Sequence, residues 1–217
     1  MLSVHLIERY FRSGRSEPLL AGVLSNGLEA PLALRARLGQ SRPAALALGL
    51  RRLLELTYGP TALSLDMTQA LLAGQREDGS FDGDPLVTAA AVAALGRLID
   101  QRSAPGQGPA DDIEALTAAR DRALSALAAV QTTTDADDDC PGFRAADDRT
   151  RQDATQAAAF ILGLLANDPA FRAAVRFADL MSWFDEHREG LDADTQRLWR
   201  LARANLSQRA LRHAAAA

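Results

Sequence analysis

The chain has 217 residues and a formal net charge of −4, long enough to bury one substantial core. The mild acidity gives no general reason to expect nucleic acid or an anionic membrane as partner. A single cysteine, Cys140, excludes an internal disulfide framework and suits a reducing, cytoplasmic setting.

All 24 basic residues are Arg, a type suited to bidentate capture of carboxylate or phosphate. Glu8, Arg9 and Arg12 interrupt the N-terminal stretch where a signal peptide would need its apolar run. No apolar stretch approaches the roughly 20 residues of a bilayer span, so no transmembrane segment is expected.

Apolar residues recur at helical spacing along the chain, without period-2 alternation, and the reading is all-α. In chain order the helices are expected near 3–12, 17–25, 30–39, 43–58, 61–75, 85–101, 111–131, 149–166, 169–187 and 192–213. Breaks fall at Tyr58–Thr61, at Ser103–Asp112 and in the acidic stretch after Gln131. Asp84-Pro85 and Asp168-Pro169 each read as an N-cap followed by proline at the first helical position, where its missing N–H costs nothing. With no long linker, residues 1–217 are taken as one domain.

Two segments, 63–101 and 119–167, match each other. Gln75 pairs with Gln131, Phe81 with Phe143 and Thr88 with Thr155; one loop contains Gly79 and the other Gly142, and in both copies Gly stands eight residues after Thr. Such matching is a sign of duplicated helical hairpins. A Gln at a helix end can bond the free N–H groups at the start of a neighbouring helix, while the aromatic shields those bonds. Asp78-Gly79 supplies the tight turn that lets Phe81 fold back.

The run Gln75, Asp78, Gly79, Ser80, Phe81, with Gln131, Gly142 and Phe143 as a looser copy, resembles the repeat of the α/α toroid superfamily, the terpenoid and squalene cyclases and the protein prenyltransferase β subunits. The usual aromatic there is Trp; here it is Phe both times. The resemblance covers about 100 residues, from Leu63 to Asn167. It implies a partial α/α barrel of about ten helices built from hairpin repeats. Complete cyclases and prenyltransferase subunits are longer, so it implies an accessory member that binds an isoprenoid-like apolar molecule or another protein chain.

Asp135, Asp137 and Asp138 spell the D-x-D-D string with which class II terpene cyclases protonate an alkene or epoxide. A carboxylic acid can do that only where crowded carboxylates keep one of them protonated. In the cyclases the string opens an apolar helix; here Cys140, Pro141 and Gly142 follow it inside the repeat loop, and solvated aspartates there would all ionise. The residues alone favour a solvated, interacting loop, and the compact-cyclase reading is the alternative.

Asp135, Asp137 and Asp139 alternate like the first calcium ligands of an EF-hand, yet Cys140 stands where its Gly belongs and Ala146 where its Glu belongs. A divalent cation there is a weak candidate, and no metal or cofactor is assigned. Asp138 and Cys140 copy the D-x-C spacing of the prenyltransferase zinc site, but its third ligand, a His, is absent near Gln156. Near the C-terminus, Arg197, Arg200 and Arg203 lie along one helical edge, a candidate surface for an acidic partner and the basis of a third reading, a structural adaptor.

Overall fold

The computed structural model describes residues 32–56, 61–103, 110–132, 140–143 and 151–215. The expected helices at 3–12 and 17–25 lie outside these residues. Those described form nine helices and no strand: α1 (Leu32–Gln40), α2 (Arg42–Leu56), α3 (Ala62–Ala73), α4 (Pro85–Arg102), α5 (Ala110–Ala129), α6 (Arg151–Leu165), α7 (Pro169–Ala174), α8 (Phe177–His187) and α9 (Ala193–Ala215). None of them is long and apolar enough to cross a membrane.

Local chemistry sets several of the boundaries. Thr61 starts α3 with a reciprocal capping box: its hydroxyl accepts from the Ser64 N–H, and the Ser64 hydroxyl accepts from the Thr61 N–H. Asp84 caps α4 by accepting from the Leu86 N–H at 2.8 Å, and Asp168 caps α7 by accepting from Ala170 at 2.8 Å, each with Pro next.

One expected helix is corrected. The segment 169–187 is two helices, because Val175 leaves helical conformation (φ −110°, ψ 165°) and the Arg176 peptide groups turn outward to meet Gln131.

Helices α2, α4, α6 and α9 lie in a row, each against the next, while α3 packs on α2, α5 on α4 and α7 on α5. Small residues make the row tight. Every residue of α4 from Pro85 to Leu95 is buried, as is every residue of α6 from Ala157 to Leu162. A helix polar on one side would expose a charged stripe there; α4 is covered all round over its first three turns. Leu38, Leu50, Leu71, Leu86 and Leu95 fill the spaces that the alanines leave.

Candidate functional site

The two Gln–Phe loops are built to one plan. In the first, Gln75 and Phe81 form an isolated antiparallel bridge, and in the second Gln131 and Phe143 do the same. Arg76 donates its N–H to the Ser80 carbonyl at 2.9 Å, and Thr132 donates its N–H to the Gly142 carbonyl at 2.9 Å. The Gln75 amide donates to the Gly79 carbonyl at 3.0 Å, and the Gln131 amide to the Pro141 carbonyl at 3.0 Å. Counted back from the phenylalanine, these bonds align Gly142 with Ser80 and Pro141 with Gly79. The two loop glycines, Gly79 and Gly142, are thus not equivalent positions. The extra residues of the second loop therefore lie between two fixed ends.

Within the first loop, the Asp78 carboxylate accepts from the Ser80 hydroxyl at 2.6 Å and the Ser80 N–H at 2.9 Å. Those two bonds hold its pKa below the usual carboxylate value. Gly79 takes φ +82°, and a Cβ there would lie 2.5 Å from the Arg122 carbonyl oxygen on α5. Only glycine lets this turn sit against that helix. The Phe81 N–H donates to Thr88 Oγ1 at 3.0 Å, and that hydroxyl donates to the Asp84 carbonyl at 2.8 Å. Thr88 thus ties the loop to the first turn of α4.

Each Gln also reaches a later part of the chain, in a different way each time. Gln75 lies against the middle of α5: its amide donates to the Ala119 carbonyl at 2.8 Å, and its oxygen accepts from Arg122 Nη2 at 2.7 Å. The expected partner, a free N–H at a helix start, is not what Gln75 meets, because α5 presents its side. A helical carbonyl keeps a second lone pair that a side-chain donor can use. Gln131 meets the start of α8. Its oxygen accepts from the Arg176 N–H at 2.8 Å, its amide donates to the Arg176 carbonyl at 3.4 Å, and the Arg176 guanidinium donates to the Thr132 carbonyl. Phe81 and Phe143 are fully buried, and the Phe143 ring packs on Phe171 with centroids 6.2 Å apart.

Several partners of these loops are not evident in the sequence. Arg37 on α1 pairs with Asp84 at 2.7 Å, Ser41 donates to Asp82 at 2.5 Å, and Arg120 on α5 pairs with Asp168 at 3.1 Å. Both capping aspartates thus carry an arginine from another helix. The Asp-Pro pairs signalled the caps, but nothing local signalled the arginines.

The remaining candidates separate. Asp135, Asp137, Asp138 and Asp139 lie outside the described residues. Among the described residues, no group of three or more His, Cys, Asp or Glu side chains is arranged to hold a metal ion. Cys140 is half-buried, and its carbonyl accepts from the Thr132 hydroxyl at 3.2 Å. Of the arginine stripe on α9, Arg197 and Arg200 are exposed, with Arg200 donating to Gln196 at 3.2 Å. Arg203 is exposed as well and reaches α8: it pairs with Asp185 at 2.5 Å, and its guanidinium carbon stands 5.9 Å from the centre of the Trp199 ring.

No family model, no curated protein and no solved structure matches this chain.

Proposed function

We propose that the chain is a small or partial member of the α/α toroid superfamily, an accessory protein without catalysis of its own that works by binding another protein chain. The observation that carries the toroid reading is the repeated closure of the two loops, each with its glutamine anchored on the outer helix of the following hairpin. The unbroken burial of Pro85–Leu95 and Ala157–Leu162 favours a protein partner over an isoprenoid held between the inner helices. Recognition then falls to loops and outer faces.

Native mass spectrometry of the protein purified from its own host tests this. A stoichiometric partner chain supports the proposal. A co-purifying terpenoid, with turnover that Asp137→Asn and Asp138→Asn abolish, overturns it in favour of a compact cyclase.

A further inference from the structure

Helices α8 and α9 form an antiparallel hairpin whose mutual orientation is fixed by contacts along its length. The buried Phe184 ring stacks on Trp199 with centroids 5.0 Å apart. Asp185 pairs with Arg203 at 2.5 Å along the seam, and further on the Gln196 amide donates to the Arg188 carbonyl at 3.1 Å. These contacts decide which face of each helix looks outward.

The two outward faces carry opposite charge. On α8, Asp179, Ser182 and Glu186 recur at i, i+3 and i+7 and are all exposed, and the helix contains no arginine. On α9, Arg197, Arg200 and Ala204 recur with the same spacing and are exposed too, with Leu201 36% exposed beside them. Apart from Asp194 in its first turn, every described outward charge of α9 is an arginine. In the turn between the helices, Arg188 and Glu189 offset each other at 3.9 Å.

A surface that is acidic on one helix and basic on its neighbour is complementary to itself under a two-fold rotation, which is what an isologous dimer requires. A polyanion or a polycation would meet repulsion from one helix or the other. Phe184 stands against Trp199 and Arg188 against Gln196, so Glu186 and Arg200 lie within about one helical turn of the same level. A two-fold axis at that level carries each Glu186 to the second copy's Arg200, while Leu201 and Ala204 supply apolar contact beside the charges.

We propose that the outward face of α8 and α9 is a self-association surface, on which a second copy of this chain docks with the α8 of each copy against the α9 of the other. The inference rests on the reading that the chain works by binding a protein chain, and it names that chain.

The test is sedimentation velocity of the purified full chain at about 50 mM and about 500 mM salt, because exposed charge pairs are screened as the Debye length shortens. The expected result is a dimer at low salt whose dissociation constant rises about tenfold or more at high salt. Glu186→Arg and Arg200→Glu each reverse a contact that the two-fold axis repeats, so either alone should weaken the dimer about 10- to 100-fold. An equimolar mixture of the two variants should dimerise again, since opposite charges then meet at both contacts, and that recovery also shows that both variants fold. A chain that stays monomeric at about 100 μM in low salt, a dimer indifferent to both reversals, or a mixture that stays monomeric overturns the surface. A monomeric chain that still carries a different protein when purified from its own host refutes the second copy alone and leaves the partner reading standing.

Discussion

Replacing Gly79 by alanine should be among the most damaging single-methyl additions in this chain. At φ +82° an L side chain is strained, which costs about 1–2 kcal/mol. The added Cβ would also stand 2.5 Å from the Arg122 carbonyl oxygen and 2.8 Å from its carbon. Both are backbone atoms inside α5, so the loop must lift off the helix, and forced overpacking of this kind costs about 1–3 kcal/mol. Together that is about 2–5 kcal/mol, a large part of the roughly 5–15 kcal/mol that holds a typical domain. Gly83 is the internal control. Its φ is +69°, but a Cβ there would meet only the Arg76 guanidinium, at 3.3 Å, the far end of a flexible side chain. Gly83→Ala should cost only the backbone strain, about 1–2 kcal/mol. Urea unfolding of both variants, with midpoints compared at unchanged m, measures the difference. Equal losses would refute the seating of the first loop on α5.

The glutamines should rank in a definite order. Gln131→Ala leaves the Arg176 N–H without its acceptor, a loss of about 1–3 kcal/mol, whereas Gln75→Ala removes an extra donor from a helical carbonyl, about 0.5–1.5 kcal/mol. The same urea unfolding decides it, and the reverse order would contradict the assigned contacts. A third prediction concerns acid. Partial burial works against ionisation of Asp192, but bonds from the Thr195 hydroxyl and N–H and from the Asp194 N–H outweigh it and hold its pKa below the usual value. A group with a depressed folded pKa stabilises above its unfolded value of about 3.9 and loses that contribution as pH falls below it. Solvent screening keeps the effect small at this half-exposed position. Asp192→Asn keeps an acceptor for the start of α9 but cannot titrate, so its melting temperature should fall less than the parent's between about pH 5 and 3. Parallel curves would sink this assignment.

What the sequence made legible was local. The caps at Asp84 and Asp168 follow from a side-chain acceptor followed by proline. The burial of α4 follows from alanine where a surface helix carries charge, and the Gln–Phe repeat marked both bridges in the fold. What stayed hidden depends on distant partners. The break between α7 and α8 has neither Gly nor Pro at Val175-Arg176; it exists because Gln131, 45 positions earlier, takes both peptide groups of Arg176. Arg37 and Arg120 find their aspartates at separations of 47 and 48 residues. That Gly79 and Gly142 are not equivalent was hidden for a related reason. Each loop carries a glycine ahead of its phenylalanine, but backbone bonds counted from the phenylalanine set the register.

That register explains how two loops of unequal length serve one architecture. The first runs over 76–80 and the second over 132–142, yet each is closed by the same two bonds: the residue after Gln to the residue before Phe, and the Gln amide to the residue before that. Lengthening a closed loop costs little, about 0.6 kcal/mol for each doubling. A stretch rich in aspartate can therefore be carried between Thr132 and Cys140 without moving Phe143 from the core or Gln131 from Arg176. α4 and α6 have no such freedom: a larger side chain at Ala89, Ala90, Ala157 or Ala158 would overpack stretches in which every residue is buried. Variation compatible with this fold is confined to the loop ends and outer faces, which is why binding in the proposed function is sought there and not between α4 and α6.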